Sequence, residues 1–374
     1  MRTLVIFALV ALGGCATAPP ASVMDTPPTV QNAGLASGGT ITPAALGELV
    51  EKAMIDTGVN GASVTLINDG RIVYSQTFGI ADPATGAPVT ADTLFEAASM
   101  SKPMFGALVV DLTADGVIDL DAPLAGYMPH PDLQDDPRAA KLTARQVLTH
   151  QTGLPNWRSD NADGRLDIAF EPGTARRYSG EGYEYLADVL MHELDLDDRA
   201  LDALFRQRIA APAGSDDTYF VQDDTRVARK AIGYRDGVPF SGDIDYANDG
   251  FGAAYSIHAT TEDYAKAMIG LMRGPSLDAD EREIFFAPQK VDIAADDPER
   301  AMGLADWALG YGMYQLPIGL MHAHGGNNEG FTGMSGLIRD TGWGAVVFTN
   351  ENQANDFTLR VFSSLVGIEP PPLP

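Results

Sequence analysis

Phe95-Glu96-Ala97-Ala98-Ser99-Met100-Ser101-Lys102-Pro103 is the stretch on which the reading of this chain turns. It leads into an apolar run through Leu108, Val109 and Leu112, which predicts a helix over 99–115. Ser99 and Lys102 are three apart, so at the start of a helix they lie on one face, one turn apart. A lysine amine in that place can accept the serine proton, provided burial or a neighbouring cation holds it neutral. The helix N-terminus adds partial positive charge beside the hydroxyl, and Pro103 removes no N–H that the first turn needs. The spacing alone is weak evidence. With 15 serines and six lysines, about one such chain in four would carry it by chance. The plain alternative is a helix-capping serine beside a surface lysine.

Working outward, Thr42 and Pro43 read as an N-cap and the first residue of a helix. Leu46, Leu49, Val50, Ala53 and Met54 share one face of it. Residues 62–67, Asn68-Asp69-Gly70 and 71–74 read as a β-hairpin. Between about 120 and 255 helical segments (144–148, 183–193, 199–208) alternate with Pro- and Gly-rich loops. Residues 261–272 form another amphipathic helix. Strand-type sequence returns at about 309–315, 319–324, 334–339 and 343–349, and a last helix covers 355–366. Strands at both ends and helices between them predict an α+β fold. Residues 43–98 and 256–374 would build an α/β sandwich domain, its central antiparallel sheet flanked by helices. Residues 99–255 would form a mostly helical inserted domain. A site belongs in the groove between the two.

Composition narrows the function. The chain is 45% hydrophobic and 20% charged, which excludes global disorder. Its net charge is -26. So acidic a chain repels phosphate backbones, and nucleic-acid partners drop out. One cysteine excludes a disulfide framework, a cysteine-based zinc site and a CxxC redox pair.

Five blocks in order carry a resemblance. The first is the Ser99–Lys102 stretch with Gly116-Val117-Ile118-Asp119-Leu120-Asp121 after it. The second is Leu148-Thr149-His150-Gln151-Thr152-Gly153-Leu154-Pro155. Then come Phe170-Glu171-Pro172-Gly173-Thr174 with Tyr178-Ser179, and Gly252-Ala253-Ala254-Tyr255-Ser256 with Glu262-Asp263-Tyr264. The last is His324-Gly325-Gly326 with Gly330-Phe331. Together they resemble the serine β-lactamase-like, penicillin-recognising hydrolases, over most of residues 44–366. The nearest branch holds class C β-lactamases, D-alanyl-D-alanine carboxypeptidases and related family VIII carboxylesterases. The resemblance implies an acyl-enzyme on Ser99, with Lys102 and Tyr178 sharing the general-base and general-acid work. It implies a tyrosine hydroxyl whose pKa the lysine cation lowers. His324 stands where the family has a cationic or hydrogen-bonding side chain facing the pocket. Gly325 and Gly326 would let that strand approach the acyl group closely. The N–H groups of Ser99 and Asn327 would form the oxyanion hole. Gly180 departs from the family's asparagine, whose amide helps to hold the substrate. That departure favours esters or related acyl compounds over β-lactams and D-Ala-D-Ala peptides. No cofactor is implied.

The N-terminus reads as an address. Arg2 precedes the apolar run 4–12, which is too short to span a bilayer, and the run ends in Leu12-Gly13-Gly14-Cys15. Cys15 follows residues that resemble a bacterial lipobox, so residues 1–14 are expected to be a signal peptide. Residues 15–42 are then a lipidated N-terminus and flexible tether, with the protein on the periplasmic face of a membrane. The alternative is an ordinary secretory signal with an incidental cysteine. His322 and His324 alternate on a strand, but no further ligand has metal-site spacing nearby. His150 is expected to be a hydrogen-bonder at a helix end, and Trp157 either lines the groove or anchors a core. The leading reading is an exported, lipid-anchored serine hydrolase acting on esters or related acyl compounds, its expected partner a small-molecule ester, peptide or β-lactam substrate. Its rivals are a D,D-carboxypeptidase or weak β-lactamase, and a non-catalytic cell-wall binding protein of the same fold.

Overall fold

The structure, a computed structural model, describes residues 32–240 and 250–368. The predicted signal peptide, Cys15 and the tether up to residue 31 lie outside the described residues. The rest of the expected tether does not behave as one. β1 (Ala33–Gly34) pairs antiparallel with β2 (Thr40–Ile41). Gly34 N–H donates to Asn68 Oδ1 at 2.7 Å, and its carbonyl accepts from Asn68 Nδ2 at 2.8 Å and from Trp343 Nε1 at 3.1 Å. Ala33 is buried. Composition could not signal this, because most of these bonds are made by backbone atoms that every residue has.

After α1 (Pro43–Thr57), capped by Thr42 as expected, come β3 (Gly61–Asn68), β4 (Arg71–Asp82) and β5 (Ala87–Pro88). They form one edge of an eight-stranded antiparallel sheet. Its other strands are β11 (Leu304–Trp307), β12 (Gly312–Leu316), β13 (Gly319–Asn328), β14 (Phe331–Ile338) and β15 (Trp343–Thr349). The order β11-β12-β13-β14-β15-β3-β4-β5 joins the two ends of the chain at β15 and β3. Alternation sorts the faces. Val64, Leu66, Ala345 and Val347 pack with α1 and α9 (Asn355–Val366). Val346 and Phe348 face the other way, toward α7 (Thr261–Arg273). Ser63 and Thr65 also point there and are satisfied by Thr261 Oγ1 at 2.6 and 2.9 Å.

The middle of the chain is helical. α2 (Ser101–Ala114) is buried continuously from Ser101 to Val110. A helix apolar all round lies inside, not on a surface. α3 (Ala144–Leu148) and α4 (Gly180–Leu194) follow. The predicted 199–208 helix is α5 (Asp198–Phe205) plus one π-helical turn, Arg206–Ala210. Three short strands, β6 (Phe95–Glu96), β7 (Thr218–Tyr219) and β10 (His258–Ala259), stitch this part to the sheet region. A short α6 (Asp224–Val227) and the hairpin β8 (Tyr234–Arg235) and β9 (Val238–Pro239) lie between. α8 (Ala279–Phe286) was not foreseen. Its sequence is charged, and only Phe285 and Phe286 are buried. One apolar cluster runs from Phe286 and Phe348 through α2 to Tyr183 and Phe205. Among the described residues, no hydrophobic break therefore separates this face of the sheet from the helices of the middle of the chain.

Candidate active site

Ser99 lies in a 3-10 turn, Ala98–Met100, that runs directly into α2. Ala98 before it has φ of 51°, a left-handed conformation that costs an L-residue roughly 1–2 kcal/mol. Neighbours hold the turn in place. Ser101 Oγ donates to the Ala98 carbonyl at 2.6 Å and accepts from Ile257 N–H at 2.9 Å. β13 presses on the same turn. A Cβ at Gly326 would sit 2.3 Å from the Ala97 oxygen and 3.1 Å from Ser99 N. Gly326 is thus required by the close approach of β13 to the serine turn. Gly325 is not. It is exposed, and a Cβ there would meet nothing nearer than the Gly333 oxygen at 3.7 Å.

Lys102 is fully buried one turn on. Its Nζ lies 3.1 Å from Ser99 Oγ and donates to the Ala254 carbonyl at 2.8 Å. It also sits 4.7 Å from the centre of the Tyr178 ring and 5.5 Å from that of Tyr183. Burial lowers its pKa from 10.5 to about 7, with Glu184 pulling the other way. Glu184 Oε1 accepts from the Ala254 N–H at 2.9 Å. Lys102 and Glu184 therefore grip the two ends of one residue. Burial raises the Glu184 carboxyl to about 8. Sequence reasoning missed Glu184. The available signal was an ionisable residue wedged between Tyr183 and Tyr185 on a predicted helix.

The Tyr178 hydroxyl is hydrogen-bonded to Ser99, yet burial pushes its pKa well above 10. This corrects the expectation of a cation-lowered phenol. Lys102 reaches the face of the ring and bonds to Ser99 directly, so the tyrosine stays a neutral donor. His150, at the end of α3, packs its ring 4.2 Å from that of Tyr178. Its Nδ1 accepts from Ser179 N–H at 3.1 Å, which puts its own proton on Nε2. That is the structural role expected of it.

His324 is nearly buried, and its Nδ1 donates to the Gly325 carbonyl at 2.6 Å. Burial first, then Lys102 and Arg176, hold its pKa near 3. The cationic option for this position is therefore corrected: His324 is a neutral imidazole. Arg176, also unforeseen, stacks on Trp307 and pairs with Asp297 at 2.7 Å and Glu299 at 3.3 Å. β12 ends opposite Ala323, so residues 324–328 of β13 present an edge that β12 leaves uncovered. Asn327 lies on that stretch. Its side chain contacts Asn355 and Thr332. His322 Nε2 is bonded to the Phe286 carbonyl at 3.0 Å. Among the described residues no group of His, Cys, Asp or Glu has the makings of a metal site.

Gly180 is the first residue of α4, and its N–H meets Asn156 Oδ1 at 3.0 Å. A Cβ here would lie 2.7–2.9 Å from three atoms of the Trp157 indole. The position is glycine because a tryptophan occupies the space beside it.

The sequence model of the family described as beta-lactamase matches residues 46–362. Esterase EstB of Burkholderia gladioli is 29% identical over 225 residues, covering 52% of this chain and 55% of that protein. The chain thus spans little more than half the length of that esterase. A beta-lactamase of Yersinia enterocolitica is 25% identical over 300 residues, 75% of this chain and 69% of the relative. A beta-lactamase/D-alanine carboxypeptidase from Pseudomonas syringae superposes with a TM-score of 0.71 at 21% identity, over 86% of this chain and 99% of that one. An octameric penicillin-binding protein homologue from Pyrococcus abyssi gives 0.72 at 18%, over 88% and 78%. These two likenesses show the fold.

Proposed function

We propose that this chain, which belongs to the beta-lactamase family of serine hydrolases, hydrolyses carboxylic esters through an acyl-enzyme on Ser99. The observation that carries this is a buried amine with a pKa of about 7 lying 3.1 Å from the Ser99 hydroxyl. Near neutral pH a large fraction of Lys102 is free base, so it takes the proton as Ser99 Oγ attacks the ester carbonyl. The N–H groups of Ser99 and Asn327 receive the developing oxyanion. Tyr178 gives its proton to the departing alkoxide and recovers one from Lys102. Water then repeats the sequence on the acyl-enzyme, and the acid leaves with Ser99 restored.

Two features favour esters over substrates with a carboxylate and an amide side chain. Position 180 offers no amide, and the neutral His324 offers no cation. The test is mass spectrometry of intact protein after a fluorophosphonate and, separately, a penicillin, with kinetics on p-nitrophenyl acetate. Ser99→Ala is expected to lose both the adduct and the turnover. Full activity in purified Ser99→Ala would overturn the reading, and faster turnover of a penicillin or a D-Ala-D-Ala peptide than of the ester would favour the rival enzyme. An acylation-inert Ser99 would favour the binding protein.

We also infer export and anchoring at the periplasmic face through an acylated Cys15, which rests on the Leu12-Gly13-Gly14-Cys15 pattern. Cys15→Ser should move the protein from the membrane to the soluble fraction. An unchanged distribution, with no lipid mass on the wild type, would refute it.

A further inference from the structure

The end of β13 carries one half of the proposed oxyanion hole, yet its own sheet supports it on one side only. There it pairs with β14, Asn327 opposite Thr332 and Asn328 opposite Phe331. On the other side β12 stops opposite Ala323. Among the described residues no strand ladder fixes 324–328 against the Ser99 turn. The N–H groups of Ser99 and Asn327 must still be held at a set separation to receive one oxygen.

A side-chain tie stands where the ladder ends. Glu96, in β6 three residues before Ser99, is 4% exposed. Its Oε2 accepts from Asn328 Nδ2 at 2.7 Å, and its Oε1 meets Lys230 Nζ at 2.6 Å. The same Asn328 amide donates to the Tyr255 carbonyl at 3.2 Å. Lys230 Nζ also lies 5.6 Å from the centre of the ring of Phe331, the first residue of β14. Glu96 is pinned in turn by its backbone. It stands opposite His258 of β10, and Ala97 N–H donates to the Ile257 carbonyl at 2.9 Å. Gly326 lets β13 come close to the serine turn, and two residues further on Glu96 and Asn328 hold it there. A buried ion pair adds little net stability, so its best use is to fix register.

We propose that Glu96 and Asn328 are positioning residues that set the distance between the Ser99 turn and the Asn327 N–H, with Lys230 holding the Glu96 carboxylate in place. The proposal rests on the ester-hydrolase reading above and adds what shapes its oxyanion hole.

The test uses p-nitrophenyl acetate and phenyl trifluoromethyl ketone. Ser99 Oγ adds to the ketone carbon, the serine proton passes to Lys102 and the carbonyl oxygen becomes an alkoxide, with no group leaving. Ketone inhibition therefore reads the oxyanion hole without the later steps. Asn328→Asp sets two carboxylates against each other. It should lower kcat about a hundredfold, the order of losing or misplacing one oxyanion donor, and weaken the ketone in parallel. KM should change by less than about threefold. Adding Glu96→Gln restores the bond with donor and acceptor exchanged, and should recover about tenfold of the lost kcat or more. If Asn328→Asp does not fold, Asn328→Ala carries the test. It removes the tie without adding a charge and should show the same split at about tenfold. Unchanged kcat and ketone binding in a folded Asn328 variant, a rise in KM with kcat intact, or a double variant no better than Asn328→Asp overturns the proposal. Turnover that is still lost in Ser99→Ala then leaves the ester-hydrolase reading standing, so the two failures are distinguishable.

Discussion

Lys102→Met should make the protein more stable and inactive, and the stability gain should depend on pH. Lys102 has no exposed surface, and its pKa falls from 10.5 to about 7 in the fold. At about 1.4 kcal/mol per pH unit, its burial costs the native state up to ~5 kcal/mol at pH 7 and below. The sign follows from proton counting. Between pH 7 and 10.5 the unfolded chain holds a proton on this amine that the folded chain does not. The stability contribution therefore rises with pH across that window, and the penalty is full only below it. Methionine is of similar length and needs no solvation. It forfeits the contacts to Ser99 Oγ and the Ala254 carbonyl, about 1 kcal/mol each, and leaves Glu184 without its cation. A net gain of about 2–3 kcal/mol at pH 6.5 remains, which crosses zero near about pH 9 and becomes a loss of about 1 kcal/mol by about pH 10. Denaturant midpoints of wild type and variant at pH 6.5 and 9.5 measure it. Ester turnover should fall by ~10²–10⁴. A variant less stable than wild type at pH 6.5, or a difference independent of pH, would refute the claim that this amine is held neutral by burial.

Other outcomes follow from the same geometry. Tyr178→Phe keeps the ring against His150 and loses the hydroxyl, so kcat should drop ~10²–10⁴ with little change in melting temperature. Its combination with Lys102→Met should be hardly worse than the worse single change, and multiplying effects would show separate steps. Glu184→Gln preserves an acceptor for Ala254 N–H. Because burial already keeps the carboxyl mostly protonated below about pH 8, the acid limb of kcat/KM near pH 7 should stay put. A limb that moves to lower pH would show a charged Glu184 beside Lys102. Gly180→Asn should destabilise by about 1–3 kcal/mol, because its Cβ meets the Trp157 ring. An unchanged thermal melt would mean the indole moves aside freely. Gly326→Ala should cost far more activity than Gly325→Ala, since only the first drives a methyl into the Ser99 turn. Equal losses would contradict the packing of β13 on that turn.

What the sequence determined by itself is largely what depends on short-range order. The hairpin at Asn68-Asp69-Gly70, the capped helix after Thr42 and the 355–366 helix follow from local patterns, and the structure contains all three. The one-turn spacing of Ser99 and Lys102 is equally local. Strand-rich ends around a helical middle already implied a sheet closed by both ends of the chain. Tertiary structure alone decided the charge state and shape of the site. Lys102 is an exposed cation or a buried base depending on what packs around it, and its partners Ala254 and Glu184 arrive from elsewhere in the chain. A phenol next to a lysine looked acidified, but burial outweighs the cation once the amine is itself nearly neutral. The glycine at 180 read as a missing amide. Only the packing of a residue 23 positions earlier shows that the space is filled by an indole. Desolvation and close contact are properties of the assembled interior, which no window of neighbouring residues contains.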